Sequence, residues 1–209
     1  MENLRAEHLG SGREAQHWPK PTLPEYAFIG RSNVGKSSLV NMLVGIHRLA
    51  RVSGTPGRTR NVEHFRVEPH RGKGQAWLLA DLPGYGFAKT SKAERATWQG
   101  MIRTYLRERE NLQCVFLLVD VRHEPQQNDL SMVQWLGEEG IPFVILFTKC
   151  DKLKQPSIVS NVALFKRTLK KTWETLPHLI LTSAESGKGR EEVLAFIEDV
   201  NSRWGSLSP

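Results

Sequence analysis

Six short apolar runs punctuate the chain: "EYAFIG", "VEHFRVE", "QAWLLADL", "QCVFLLVD", "PFVILFTK" and "HLILTSA". They are nearly continuous rather than alternating, and helical patterns separate most of them, which predicts a mostly parallel sheet covered on both faces. "PHRGKGQ" leaves no room for a helix between the second run and the third, so that pair is expected as an antiparallel hairpin. Helices are predicted at about 36–47, 90–111, 126–139, 157–175 and 188–203. The fourth places Val162, Phe165, Leu169, Trp173 and Leu176 on one face and Lys166, Arg167, Lys170 and Lys171 on the other. The expectation is an α/β fold: a six-stranded, mostly parallel, doubly wound sheet with one antiparallel strand. Sheets of this kind bind ligands beyond the carboxyl ends of their strands.

Length and composition narrow this picture. A chain of 209 residues suits one domain with a sizeable core, placed at 22–205, followed by a short tail at 206–209. Residues 1–21 mix charges with Gly, Ser and Pro and lack the apolar stretch of a secretory signal, so they are read as a flexible leader. The longest apolar runs are too short to cross a bilayer, and the protein is expected in the cytoplasm. Cys114 and Cys150 match no metal or redox spacing and are read as reduced, partly buried thiols. The seven histidines form no HExxH-type pair.

Charge is informative through its placement. The net charge is +7. Residues 48–73 hold seven Lys or Arg against two Glu, a local +5, and residues 152–171 hold six Lys or Arg and no acid, a local +6. Removing both from +7 leaves −4 for the rest of the chain. Basic charge concentrated on an otherwise acidic body favours a polyanionic partner over a merely solvated face.

The candidate chemistry falls at the expected strand ends. "GRSNVGKS" fits GxxxxGK[ST], after an apolar strand and at the start of a helix, which is the context this phosphate-binding pattern requires. Gly30 and Gly35 permit a tight wrap in which the N–H groups of Arg31, Ser32, Asn33 and Val34 and the helix start face phosphate oxygens. Lys36 is placed to bridge the β- and γ-phosphates, Ser37 to ligate Mg2+, and Ser38 to reach the α-phosphate. "DLPG", residues Asp81, Leu82, Pro83 and Gly84, puts Asp81 where it holds Mg2+ through water, and the Gly84 N–H where it senses the γ-phosphate. In "TKCDK", after Thr148, the stem of Lys149 covers a base plane, and beyond Cys150 the Asp151 carboxylate accepts from both N1–H and the exocyclic amine of guanine, a donor pair adenine lacks. In "TSAESGKG", Thr182 leads to Ser183 and Ala184, whose backbone N–H groups suit the guanine O6. Between the first two motifs, "RLARVSGTPGRTRNVEH" offers Thr59, with Thr55 as rival, as the threonine that closes over Mg2+ and the γ-phosphate. Gly54, Pro56 and Gly57 make that segment hinge-like, and Arg48, Arg51, Arg58 and Arg60 ride on it.

"GRSNVGKSSL", "SGTPGRT", "DLPGYGFA", "TKCDK" and "TSAESGKG", in this order, resemble the EngB-type (YihA/YsxC-like) ribosome-biogenesis GTPases of the translation-factor-related P-loop class. The likeness spans roughly residues 22–203. It implies a Ras-like P-loop GTPase fold, a GTPase (G) domain over 22–205, and Mg2+-dependent GTP binding with slow hydrolysis. It also implies a monomer that assists assembly of the large ribosomal subunit and so supports growth and division through ribosome supply. Lys36, Thr59 and Gly84 then form the catalytic set, Ser37 and Thr59 ligate Mg2+ directly, and Gly57 and Arg58 join the nucleotide contacts.

Two departures from general GTPases stand out. Thr148 replaces the asparagine of NKxD and lacks the amide that ties base loop to phosphate loop. Tyr85 follows DxxG where many GTPases carry a water-orienting glutamine. Asn33 accordingly has two readings: a turn residue tolerant of unusual backbone angles, or, as in related GTPases with asparagine at this position, a ligand for K+ (potassium) that supplies positive charge in the transition state. A P-loop kinase shares the phosphate loop but has no need of "TKCDK" with "TSA". An RNA-binding module with a purely structural nucleotide is the reading from another class, and turnover separates it from a GTPase.

Overall fold

The computed structural model describes residues 4–46, 49–50, 61–69, 74–86 and 92–204, the side chains of the helix that begins at Lys92 being described from residue 96 onward. Twelve elements follow one another in the described chain: β1 (Leu4–Gly12), β2 (Glu25–Gly30), α1 (Lys36–Val44), β3 (Val62–Pro69), β4 (Trp77–Asp81), α2 (Lys92–Glu108), β5 (Leu112–Asp120), α3 (Gln127–Glu138), β6 (Phe143–Thr148), α4 (Gln155–Leu169), β7 (His178–Leu181) and α5 (Arg190–Trp204). All seven strands share one sheet in the order β1-β3-β4-β2-β5-β6-β7. β3 pairs antiparallel with both neighbours and alone runs against the rest, while β4, β2, β5, β6 and β7 pair in parallel.

The six expected strands are present, and a seventh corrects the count. Residues 4–12, read as part of a flexible leader, instead form the edge strand β1 against β3. Its signal in sequence is faint: Leu4 and Ala6 turn toward the sheet's α1 side while Arg5 and Glu7 are exposed, and a register shift between His8 and Gly10 interrupts the alternation. Its attachment is mainly backbone pairing, supplemented by His8 Nε2 with Glu63 Oε2 at 2.8 Å.

Each face of the sheet carries its own core. On one, Leu39, Val40 and Leu43 of α1 and Val193 and Ile197 of α5 pack against Phe28, Phe116 and Leu146. On the other, Ile102, Tyr105, Val133, Leu136, Phe165 and Leu169 from α2, α3 and α4 cover Ala27, Leu117 and Phe147. Such side chains contribute about 1.5–3 kcal/mol each on burial, which is why the central strands read as continuous apolar runs. Helix α4 starts earlier than expected because Pro156 suits a first turn, and it stops at Leu169. Trp173 still reaches the core through the following turn, edge-on to Phe143 with ring centroids 5.7 Å apart. Both thiols are free and buried, deeper than the sequence suggested.

A polar cluster closes the amino ends of the central strands. Glu25, fully buried, accepts from Arg109 Nε and Nη2 and from the Tyr105 hydroxyl, while Arg109 Nη1 donates to Pro19 O at 2.8 Å. Burial opposes the Arg109 charge, but Glu25 outweighs it and holds the guanidinium pKa above its ordinary value. His64, beside Tyr105, is pushed down to about 3 by burial and then by Arg109, so it is neutral. Arg109→Met strands the Glu25 carboxylate without its counter-charge. Removing one partner of a buried pair costs about 3–5 kcal/mol, and urea unfolding should report a loss of this size with GDP affinity unchanged in the remaining folded protein.

Candidate nucleotide-binding site

The phosphate loop runs from the end of β2 to the start of α1, and its backbone is constrained at nearly every step. Gly30 has no room for a side chain: a Cβ there would lie 2.8 Å from the Leu118 carbonyl oxygen. Gly35 takes φ 101°, a left-handed conformation that favours glycine. Asn33 also lies in the left-handed region, at φ 65°, which gives its turn role a definite geometry, since asparagine enters that region more readily than most residues. Val34 is buried beneath the loop, and Lys36 opens α1 with its ammonium paired to Asp81 at the end of β4. Ser37 and Ser38 follow on the first turn of α1, both half-buried.

Asp81, Leu82, Pro83 and Gly84 lie alongside this loop. Leu82 N–H donates to Phe28 O at 3.0 Å, Tyr85 N–H to Gly30 O at 3.1 Å, and Ser32 N–H to Tyr85 O at 2.9 Å. Arg31 and Tyr85 therefore form a parallel bridge that carries the β2–β4 pairing past the strand ends. This fixes Gly84 beside Ser32, and it corrects the expected phosphate wrap: the Ser32 N–H donates to Tyr85 O and the Val34 N–H to Arg31 O at 3.1 Å, so neither is free to face a phosphate. The Tyr85 phenol does not occupy the place of a water-orienting glutamine. It is buried, and its hydroxyl donates to Asp129 Oδ1 in the first turn of α3 at 2.8 Å. Burial, then the adjacent Asp129 carboxylate, hold the phenol pKa well above its ordinary value.

The base side arrives from β6 and β7. Thr148 Oγ1 donates to Val34 O at 2.7 Å, so the hydroxyl makes the tie to the phosphate loop that the sequence reading counted as lost. Lys149 takes φ 61° and crosses the loop, with Nζ donating to Asn33 O at 2.6 Å and to Asp120 Oδ2 at 2.9 Å. Asp120 at the end of β5 was not singled out in the sequence. Burial raises its pKa, but donors on Arg122 and Lys149 outweigh that and hold it at about 2. Asp151 accepts from Ser183 Oγ at 2.6 Å and from Lys152 Nζ at 3.0 Å, and these contacts, Ser183 foremost, hold its pKa below the usual carboxylate range. Cys150 N–H reaches Thr182 O at 3.2 Å, tying the base loop to the turn after β7. In that turn Ser183 N–H already donates to Lys188 O at 3.1 Å, so of the expected O6 donors it is Ala184 whose N–H has no backbone acceptor among the described residues.

The site is thus assembled from five strand ends, those of β2, β4, β5, β6 and β7. Gly57, Arg58 and Thr59, with Thr55 and the four arginines of that segment, lie outside the described residues. The donor set for a divalent cation consists of hard oxygens, the Ser37 hydroxyl and the Asp81 carboxylate beside Lys36, which suits Mg2+ bridged to phosphate and water rather than caged by protein.

The Tyr85–Asp129 pair gives the site a pH signature. Desolvation raises the Asp129 pKa to about 6, against the lowering effects of the Tyr85 hydrogen bond and Arg31. A carboxyl group with a raised folded pKa contributes most at low pH and loses that contribution as pH climbs from its unfolded value through about 6. The span corresponds to about 3 kcal/mol. Thermal unfolding of wild type and Asp129→Asn across pH 4–7.5 is expected to show the variant gaining on wild type as pH rises, with the difference levelling off above pH 7.

Comparison with known proteins agrees with this geometry. Residues 25–149 match the family described as 50S ribosome-binding GTPase. The probable GTP-binding protein EngB of Cytophaga hutchinsonii is 48% identical over 198 residues, covering 95% of this chain and 96% of that one. Its counterpart in Bacteroides fragilis is 46% identical over 206 residues, covering 99% and 100%. The crystal structure of a probable GTP-binding protein engB superposes with TM-score 0.65 at 25% identity, covering 86% of this chain and 99% of that one. With a P-loop GTPase fold, a complete set of described motif residues at one rim and near-full-length identity to these relatives, the chain belongs to the EngB family of GTP-binding proteins.

Proposed function

We propose that the protein is a guanine-nucleotide switch that binds GTP with Mg2+, hydrolyses it slowly, and uses the cycle to assist assembly of the large ribosomal subunit in the cytoplasm, thereby supporting growth and division. The observation that carries this reading is the convergence of Lys36, Asp81, Lys149 and Asp151 on one rim, in a chain whose family is described by ribosome binding. When bound, Mg2+ would neutralise phosphate charge between Ser37, Thr59 and a water held by Asp81. Lys36 has Asp81 as its counter-charge and sits at the start of α1, where a β,γ-phosphate oxygen would compete for its ammonium. Gly84, fixed beside Ser32, would report the γ-phosphate. Tyr85, engaged by Asp129, leaves water without a glutamine-like partner, and this supports a low intrinsic rate. Multiple turnover of GTP, together with cosedimentation with large-subunit precursors under GTP, GDP and a non-hydrolysable analogue, tests the whole reading. A single turnover per protein would favour a purely structural nucleotide.

Base selectivity is assigned to Asp151. Its carboxylate, which accepts here from Ser183 and Lys152, would take two charge-assisted bonds from guanine, each contributing about 1.5–3 kcal/mol. Asp151→Asn should weaken GTP strongly and favour xanthine nucleotides, whose 2-oxo group accepts from the amide. Equal affinity of the wild type for GTP and ATP, measured by competition against labelled GDP, overturns the assignment.

We assign potassium to the Asn33 side chain, which is exposed and sits in the left-handed turn of the phosphate loop. Hydrolysis is expected to run faster in KCl than in NaCl at equal ionic strength, and Asn33→Ala to abolish the difference while largely sparing GDP binding. Identical single-turnover rates in the two salts would leave Asn33 as a turn residue alone.

A further inference from the structure

The cations at the far end of α4 are distinguished by what surrounds them. Lys166 and Arg167 occupy its last turn, and Lys170 and Lys171 follow directly, all four exposed. Several surface cations elsewhere lie beside an acid: Arg66 with Glu68, Arg107 with Glu139, Arg122 with Asp120, Lys152 with Asp151 and Glu185, and Arg203 with Asp199. None of these four makes an ion pair among the described residues, and Glu174, the next acid along the chain, pairs with none of them. Neighbours three and four residues apart on a helix repel when their charges match. The helix dipole rewards basic residues at its carboxyl end, yet that accounts for one or two charges rather than four.

Position adds a second argument. Helix α4 leaves the base loop at the carboxyl end of β6 and runs back for 15 residues, about 22 Å. Its last turn therefore lies at the amino ends of the strands, where Trp173 packs on Phe143, the first residue of β6. The helix is seated in the core by Ile158, Phe165 and Leu169, and of the nucleotide it lies nearest the base-recognition loop, whose guanine contacts are the same in GTP and GDP. A ligand shifts an equilibrium only through contacts that differ between states, and none of the γ-phosphate contacts reaches this cluster.

We infer that Lys166, Arg167, Lys170 and Lys171 form a nucleotide-independent anchor for the phosphate backbone of RNA. This rests on the ribosomal reading above and deepens it. The anchor would hold the protein on its RNA in both nucleotide states, at the pole opposite the γ-phosphate, and leave state dependence to the nucleotide rim. The neighbouring face of α4, with Val159 exposed and Ala163 and Ser160 beside it, offers no acidic residue to compete for the cations.

The test uses full-length protein, with filter binding to deproteinised large-subunit RNA and cosedimentation with intact large-subunit precursors. Each is run under GDP and under a non-hydrolysable GTP analogue, across about 50–200 mM KCl. Reversal of all four charges (Lys166→Glu, Arg167→Glu, Lys170→Glu, Lys171→Glu) should weaken RNA binding at least about 10-fold, by the same factor in both states, and make log K against log salt shallower by roughly 3. GDP affinity and Tm should match wild type. If they fall, the milder Lys166→Gln with Lys170→Gln replaces the full reversal, with a slope change of roughly 1–2 expected. Binding within twofold of wild type, or a loss confined to one nucleotide state, overturns the anchor. A loss on intact subunits but not on naked RNA overturns RNA as the ligand and points to an acidic protein. Wild type that binds neither subunits nor RNA overturns the ribosomal reading itself, an outcome distinct from these.

Discussion

The phosphate loop turns most of its carbonyls toward the strands and helix around it, and each of those carbonyls takes a donor from the fold. Much of this site follows from that demand. Gly30 O receives Tyr85 N–H, Arg31 O receives Val34 N–H, Asn33 O receives the Lys149 ammonium, Val34 O receives the Thr148 hydroxyl, and Gly35 O receives Leu39 N–H inside α1. The donors come from β4, from the loop itself, from the end of β6 and from the helix. The strands that present the Gly84 segment and the Lys149–Asp151 loop are thus the same ones that satisfy the phosphate loop's backbone. Phosphate binding, base recognition and the Gly84 segment are mechanically one object for this reason, without any need for a separate linking element.

The same demand explains two residues that looked like defects. Thr148 lacks an amide, but holding Val34 O takes a single donor, and a hydroxyl supplies it at 2.7 Å. Tyr85 lacks the glutamine's reach, but its backbone makes both bonds of the parallel bridge with the phosphate loop. Its side chain is then free to be used elsewhere, and the fold anchors it on Asp129. A glutamine at this position would leave Asp129 buried without the phenol. The residue that follows DxxG here joins the phosphate loop to α3.

Much of this was legible in the sequence because the relevant signals are local. Apolar runs bounded by turns located β2 to β7, and GxxxxGK[ST] placed Lys36 and Ser37 because the glycines are needed for the wrap itself. What sequence could not supply was pairing at long range. Asp120 carries no motif of its own, and its importance comes from Lys149 and Arg122 arriving at one carboxylate. Asp129 looks like an ordinary first-turn acid until Tyr85, 44 residues earlier, is seen to donate to it. β1 is similar: its alternation covers only Leu4 to Glu7 before the bulge, and its partner is named only by the register with β3. The segment expected as a flexible leader is, over Leu4–Gly12, part of the sheet.

Placing charge on this frame completes the argument. Parallel strands send every loop that touches nucleotide to one pole, so whatever lies at the other pole is insulated from the γ-phosphate by the length of the strands. The buried Glu25–Arg109 pair shows how that second pole treats charge it keeps inside: fully matched, with every guanidinium nitrogen and both carboxylate oxygens engaged. The four cations at the end of α4 sit at the same pole and pair with no acid among the described residues. On the reading proposed above, their counter-charge comes from outside the molecule. In a member of a family described by ribosome binding, the anchor proposed above takes RNA as that counter-charge, at the pole opposite the phosphate loop.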